Sequence, residues 1–189
     1  MADTSDVKAP QYLSFTIAGT DYGLPILTVK EILQHEETTA VPGTPRSIRG
    51  VINVRGQVVP VVDLAVKFGM GETVASKRAC ILVVEVQLRG ERVVLGVLAD
   101  AVNVVLDLPD GEIEPPPALG GNARLDYLTG MGKVGKGFVL LLDAERVLAA
   151  NEAELAAQVA LTAASGQGAV EAAAAAAASA APAASGAPA

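Results

Sequence analysis

Residues 47–64, reading SIRGVINVRGQVVPVVDL, constrain the chain more than any other stretch. Val51, Ile52 and Val54 make one apolar run, and Val58, Val59, Val61, Val62 and Leu64 make a second, with a turn between them. Nearly all of these residues are β-branched, and such side chains fit a pleated, packed strand better than a helix. Gly56-Gln57 reads as the two-residue loop of a tight hairpin, with Gly at its first central position. Pro60 has no N–H to give a ladder, so the second strand is an edge, bulges there or starts late. Arg55 stands at the hairpin tip, with Asn53 two positions earlier on the same face.

The remaining segments repeat this pattern. Residues 12–17 alternate as a strand does, and Gly19-Thr20-Asp21 turns them back into residues 22–24. Residues 26–33, ILTVKEIL, suit one or two helical turns and equally an extended segment. A loop with Gly69 and Gly71 follows Leu64. Residues 80–86 and 92–98 read as strands joined across Arg89-Gly90-Glu91, 102–106 as a short apolar run and 138–142 as a last strand. Pro115-Pro116-Pro117 opens a stiff loop running to Gly121. Asp143 offers an N-cap to a helix over 144–164. Residues 1–10 read as a disordered leader. Residues 165–189, almost all Ala, Ser, Gly and Pro, read as a mobile tail. Many short strands at close spacing with little helix before residue 143 predict an all-β fold, either one sandwich or two small barrels.

Composition excludes several classes of function. Hydrophobic residues make up 51% of the chain and aromatics only 3%, with no Trp, so a core of Val, Leu, Ile and Ala is expected. Fourteen Lys and Arg against twenty-one Asp and Glu give a net charge of −7, which argues against nucleic acid or an anionic membrane as the partner. The first ten residues lack an apolar signal region, and no apolar run approaches the roughly 20 residues of a spanning helix. With its single cysteine, Cys80, the chain is expected to be cytoplasmic, with no direct membrane insertion.

No catalytic, metal or cofactor site is expected. Gly130-Met131-Gly132-Lys133-Val134-Gly135-Lys136-Gly137 satisfies G-x-G-x-x-G and nearly a phosphate loop. A phosphate loop needs a following helix and a hydroxyl residue; here Gly137 and a strand follow instead. The stretch therefore reads as a flexible connection into an edge strand. His35 is the one histidine, beside Glu36 and Glu37, with no second set of metal ligands. Cys80 begins a β-run and reads as a small buried hydrophobe. The carboxylates of Glu112 and Glu114 lie by prolines in a solvated loop, and no serine has a histidine left for a triad.

GVINVRGQVVPVVDL closely resembles the hallmark of the CheW family of bacterial chemotaxis coupling proteins. YGLPILTVKEI and DYLTGMGKVGKGFVLLLDAERVL resemble the family's first and terminal signatures. The resemblance covers residues 11–150. It implies two SH3-like five-stranded barrels packed on a shared apolar interface; beyond them the residues themselves read as a helical extension over 151–164 and the Ala-rich tail over 165–189. It also implies a non-catalytic adaptor that links the cytoplasmic tip of a chemoreceptor to the CheW-like regulatory domain of the histidine kinase CheA, at receptor arrays beneath the inner membrane.

Carried over onto this chain, the partner-binding residues are Glu31 and Arg55, with Val29 and Ile32 as apolar neighbours and Gly56 and Gln57 at the turn. Leu33-Gln34-His35 stands where the family often has Arg-Gly-aromatic, and Ala101 where Gly is common, departures that bear on which partner is recognised. The polar residues before the first strand favour a stand-alone adaptor over the tail of a kinase. The alternatives are a ligand- or peptide-binding β-domain acting alone, or an adaptor of a pilus-type pathway.

Overall fold

The computed structural model describes residues 9–34, 37–74, 76–88, 90–116 and 126–148. The leader up to residue 8, His35, most of the proline-rich loop and everything beyond Leu148, including the predicted extension and tail, lie outside the described residues. Eleven strands are seen among the described residues. β1 (Gln11–Ile17) and β2 (Thr20–Pro25) form a hairpin, and a 3₁₀ turn (Ile26–Thr28) leads into β3 (Val29–Gln34). The ambiguous segment is thus helical for one turn and extended thereafter. β4 (Ile48–Val54), β5 (Gln57–Asp63), β6 (Cys80–Leu88) and β7 (Glu91–Ala99) follow, with a four-residue helix α1 (Leu64–Lys67) after β5. The chain closes with β8 (Ala101–Asp107), β9 (Ile113–Glu114), β10 (Leu128–Val134), β11 (Gly137–Leu142) and α2 (Ala144–Val147). Asp143 caps α2 as expected, accepting from Arg146 N, but α2 ends at Val147, with Leu148 as its C-cap, rather than running on from 144 towards 164.

These strands make two sheets, ordered β3-β6-β7-β5-β4 and β8-β1-β2-β11-β10-β9. The first comes from one continuous stretch, whereas the second is assembled from both ends of the described chain. It has six strands rather than the expected five. The extra one, β9, is two residues long and contains Glu114, which the sequence placed in a loop.

Each sheet curls on itself. β3 and β4 are the two edges of the five-stranded sheet, yet Leu33 of β3 and Val54 of β4 pack on one small cluster: Ile52, Val59, Val61, Ile81 and Leu98. Leu106 of β8 and Ile113 of β9, the edge strands of the other sheet, likewise meet over Leu108, Val139 and Leu141. These are the interiors of the two SH3-like barrels. A third and larger cluster joins them, with Leu13, Phe15, Ile17 and Leu24 from one sheet and Leu82, Val84, Leu95 and Val97 from the other. Side chains alternate between faces along a strand, so in β11 Val139 and Leu141 fill the barrel while Leu140 and Leu142 fill the shared core. Strands apolar on both faces follow from this arrangement, since each buried Val or Leu contributes about 1.5–3 kcal/mol and neither face meets water.

Two readings of the hairpins need correction. The loop between β4 and β5 is Arg55-Gly56, not Gly56-Gln57; Gln57 is the first residue of β5 and pairs with Val54. Both loop residues have positive φ, 51° and 87°, as a type I′ turn requires to match the strand twist. Pro60 does not make β5 an edge, because β5 lies between β4 and β7. Its partner Val51 spends both N–H and C=O on Thr39, so the Val51–Pro60 pair asks for no proline N–H, and the parallel ladder to β7 begins only at Val61.

Candidate functional site

The β4–β5 tip is held by its own side chains. Asn53 Oδ1 accepts a hydrogen bond from Gly56 N at 2.8 Å, closing the turn beneath Arg55. Arg55 then occupies the left-handed region, where a side chain costs roughly 1–2 kcal/mol relative to the right-handed one. Its guanidinium is not buried to offset that cost: the side chain is 82% exposed, and Nη2 lies 3.1 Å from Glu31 Oε1.

Glu31 is aimed at the tip by a bulge. The register of β3 against β6 shifts between Val29 and Glu31, leaving Lys30 as the extra residue, and Lys30 Nζ turns to Glu85 Oε1 at 3.2 Å. Glu31 then shares a face with Leu33, which packs on the barrel interior, and its carboxylate reaches the Arg55 guanidinium at the hairpin tip. Of the remaining expected residues, Ile32 is 47% exposed on the outer face, and Gly56 and Gln57 are exposed at the tip. Val29 is half-buried and packs on the shared core, which makes it an anchor for β3. Leu27, 91% exposed one turn before β3, is an apolar surface residue the sequence reading passed over. Nothing in its spacing separates it from Ile26, which packs inward.

A second polar cluster was also missed. Asp63 is fully buried and accepts from Ala65 N at 3.0 Å, Thr73 N at 2.9 Å and Thr73 Oγ1 at 2.9 Å. Arg49 Nη1 lies 2.9 Å from Glu72 Oε2 and 3.9 Å from Asp63 Oδ2, while Arg46 reaches Glu72 at 3.4 Å. Hydrogen bonding and charge from Arg49 hold the Glu72 carboxyl below the usual carboxylate range. The available signal was Asp63 itself, an N-cap residue type directly before Leu-Ala-Val-Lys. This cluster fixes a loop: each carboxylate has its partners within the chain.

The glycine-rich stretch is neither a phosphate loop nor a connection into an edge strand. It is the β10–β11 hairpin itself, turning at Gly135-Lys136, and β11 lies inside its sheet between β2 and β10. Gly132 is small because Leu108 fills its place: a Cβ there would stand 2.5 Å from Leu108 Cδ1. Cys80 is buried, and burial followed by the nearby charge of Asp100 pushes its thiol up, away from the reactive thiolate. Among the described residues no group of His, Cys, Asp and Glu could hold a metal ion, and no helix is long and apolar enough to cross a membrane. A cavity of about 410 Å³ lined by Ala18, Glu72, Thr73 and Asp100 has its carboxylates engaged, Asp100 with Ala18 N at 2.6 Å and Glu72 with Arg49.

Comparison with known proteins adds the following. Residues 11–152 match the family model described as the CheW-like domain. The chemotaxis protein CheW of Klebsiella aerogenes is 36% identical over 150 residues, 79% of this chain and 88% of that protein. The protein FrzA of Myxococcus xanthus is 35% identical over 121 residues, 64% of this chain and 72% of the other. The crystal structure of the scaffolding protein TtCheW from Thermoanaerobacter tengcongensis superposes with a TM-score of 0.67 at 29% identity, covering 80% of this chain and 96% of that one.

Proposed function

The chain belongs to the CheW-like domain family, and from that premise we propose that it is a non-catalytic adaptor which couples the cytoplasmic tips of chemoreceptors to the CheW-like regulatory domain of the histidine kinase CheA. The observation that carries the proposal is the shared core. One apolar cluster takes side chains from both barrels, so the outer surfaces of the two are held in a fixed relation. A coupler needs that, because two partners can then be bound on separate faces without competing.

On this reading the β4–β5 tip is a recognition element. Arg55 adopts a backbone conformation that Asn or Gly would take more easily, and it presents an exposed planar fork that suits carboxylates and carbonyls once water is excluded. Glu31 holds the fork, Gly56 and Gln57 flank it, and Ile32 and Leu27 supply apolar surface on the neighbouring element. Val29 acts from beneath by anchoring β3. No cofactor or nucleic acid enters the function, and the protein works in the cytoplasm at receptor arrays. Pull-down of a purified kinase regulatory domain and of a receptor-tip fragment, each alone, tests the reading. Retention of both supports coupling, and retention of neither overturns it.

A further inference from the structure

Of the six aromatic residues in the chain, three Tyr and three Phe, four stand in one stacked column. Ring centroids are 6.2 Å apart between Phe15 and Tyr22, 5.6 Å between Tyr22 and Phe68, and 4.7 Å between Phe68 and Tyr127, with interplanar angles of 29°, 28° and 20°. Phe15 and Tyr22 lie on β1 and β2, and Tyr127 directly precedes β10, so all three belong to the six-stranded barrel. Phe68 does not. It ends α1 in the connection from β5 to β6, which is part of the five-stranded barrel. One ring of one barrel is therefore clamped between two tyrosines of the other.

The segment that carries Phe68 is tied to its own barrel at both ends. Buried Asp63 accepts from Ala65 N at its start and from Thr73 N and Oγ1 at its end. Between these points Phe68 N donates to Leu64 O, Gly69 N to Val66 O and Met70 N to Ala65 O, and Glu72 is held by Arg49. Phe68 cannot shift far without its barrel. The rest of the inter-barrel core is largely aliphatic, and aliphatic attraction is non-directional, whereas stacked rings prefer set offsets and angles.

We propose that the Phe68 ring, clamped between Tyr22 and Tyr127, sets the angle between the two barrels and so positions the surfaces they present. The consequence for coupling rests on the adaptor reading; the positioning does not. On this account Phe68 is a positioning residue, acting through the rings of Tyr22 and Tyr127.

The test uses the full chain in a Cys80→Ala background, with spin labels at Gln87→Cys on β6 and Val104→Cys on β8, two exposed strand positions on different barrels. The distance between labels is read by pulsed electron resonance. With Phe68 intact a single narrow distance is expected. Phe68→Ala is expected to lose that narrow peak, Phe68→Tyr to restore it, and Val59→Ala, which opens the five-stranded interior alone, to keep it. An unchanged peak in Phe68→Ala, or equal broadening in Val59→Ala, overturns the proposal. If Phe68→Ala does not fold, Phe68→Leu, which keeps an apolar plug without a ring, is read by the same criterion. The measurement is made without partners, so its failure leaves the adaptor reading standing, and absence of partner binding leaves the positioning standing.

Discussion

Arg55 Nη2 lies 3.1 Å from Glu31 Oε1, joining the tip of the β4–β5 hairpin to β3, which is the opposite edge strand of the same sheet. The contact spans the seam of a curled sheet. Beneath it Leu33 and Val54, one from each edge, meet over the barrel interior. The apolar contact closes the barrel, and the ion pair above it leaves the guanidinium largely in water.

That division of labour separates folding from binding. Exposed ion pairs contribute about 0–1 kcal/mol, so Arg55→Ala should lower stability by less than about 1 kcal/mol in urea denaturation. Arg55→Gly removes the side chain from a left-handed position and is expected to fold at least as stably as the wild type. Both variants should weaken binding to kinase or receptor by about 2 kcal/mol or more, the scale of an interface hot spot. Glu31→Ala should do the same, with the double variant less than additive. Unfolding of Arg55→Ala would make the residue structural.

Asp63 carries the opposite expectation. Replacing its buried carboxylate by Ala strands Ala65 N, Thr73 N and Thr73 Oγ1 without an acceptor. A loss of about 2–4 kcal/mol is expected, with a smaller loss for Asp63→Asn, which keeps one acceptor. A change under about 0.5 kcal/mol in Asp63→Ala, the size of an ordinary surface substitution, would show that water replaces the carboxylate.

At Gly132 the test is steric. A methyl group there runs into Leu108, and overpacking of this kind costs about 1–3 kcal/mol. Gly132→Ala should therefore be destabilising, and combining it with Leu108→Ala should cost less than the sum of the two. Calorimetry with ATP and magnesium should show no binding to the wild type, since this glycine run is a strand and a turn. Saturable binding would contradict that assignment.

The Arg49–Glu72 contact gives a pH signature. The arginine lowers the Glu72 pKa in the folded state, so its stabilisation is present above the ordinary glutamate range and is lost as pH falls through the lowered value. Melting curves of the wild type and Glu72→Gln should differ slightly at neutral pH, with the wild type higher, and converge in acid. Added salt should shrink the difference, because the pair is open to solvent. A difference that grows in acid would give the linkage the wrong sign.

Strand content was legible in the sequence because β-branched runs and turn residues carry a local signal, as in residues 47–64. What that signal lacks is the partner of each face. Leu140 and Leu141 read alike, yet one fills the shared core and the other a barrel interior, which only the packing of two sheets decides. The turn at Arg55-Gly56 was misplaced by one residue because an arginine at positive φ goes against intrinsic preference. The Glu31–Arg55 pair came from family resemblance. Neither residue has a spacing that would reveal it, because 24 positions and a closed barrel separate them. The Asp63 cluster was hidden for a similar reason: its acceptor role depends on Thr73 returning across a loop.

Simultaneous binding tests the coupling proposal most directly. Sedimentation of this chain with a CheA regulatory domain and a receptor-tip fragment, both in excess, should give one species containing all three, and Arg55→Ala should reduce its population while the free protein remains folded. Binding of the two partners that is mutually exclusive, or binding of neither, would contradict a coupling adaptor.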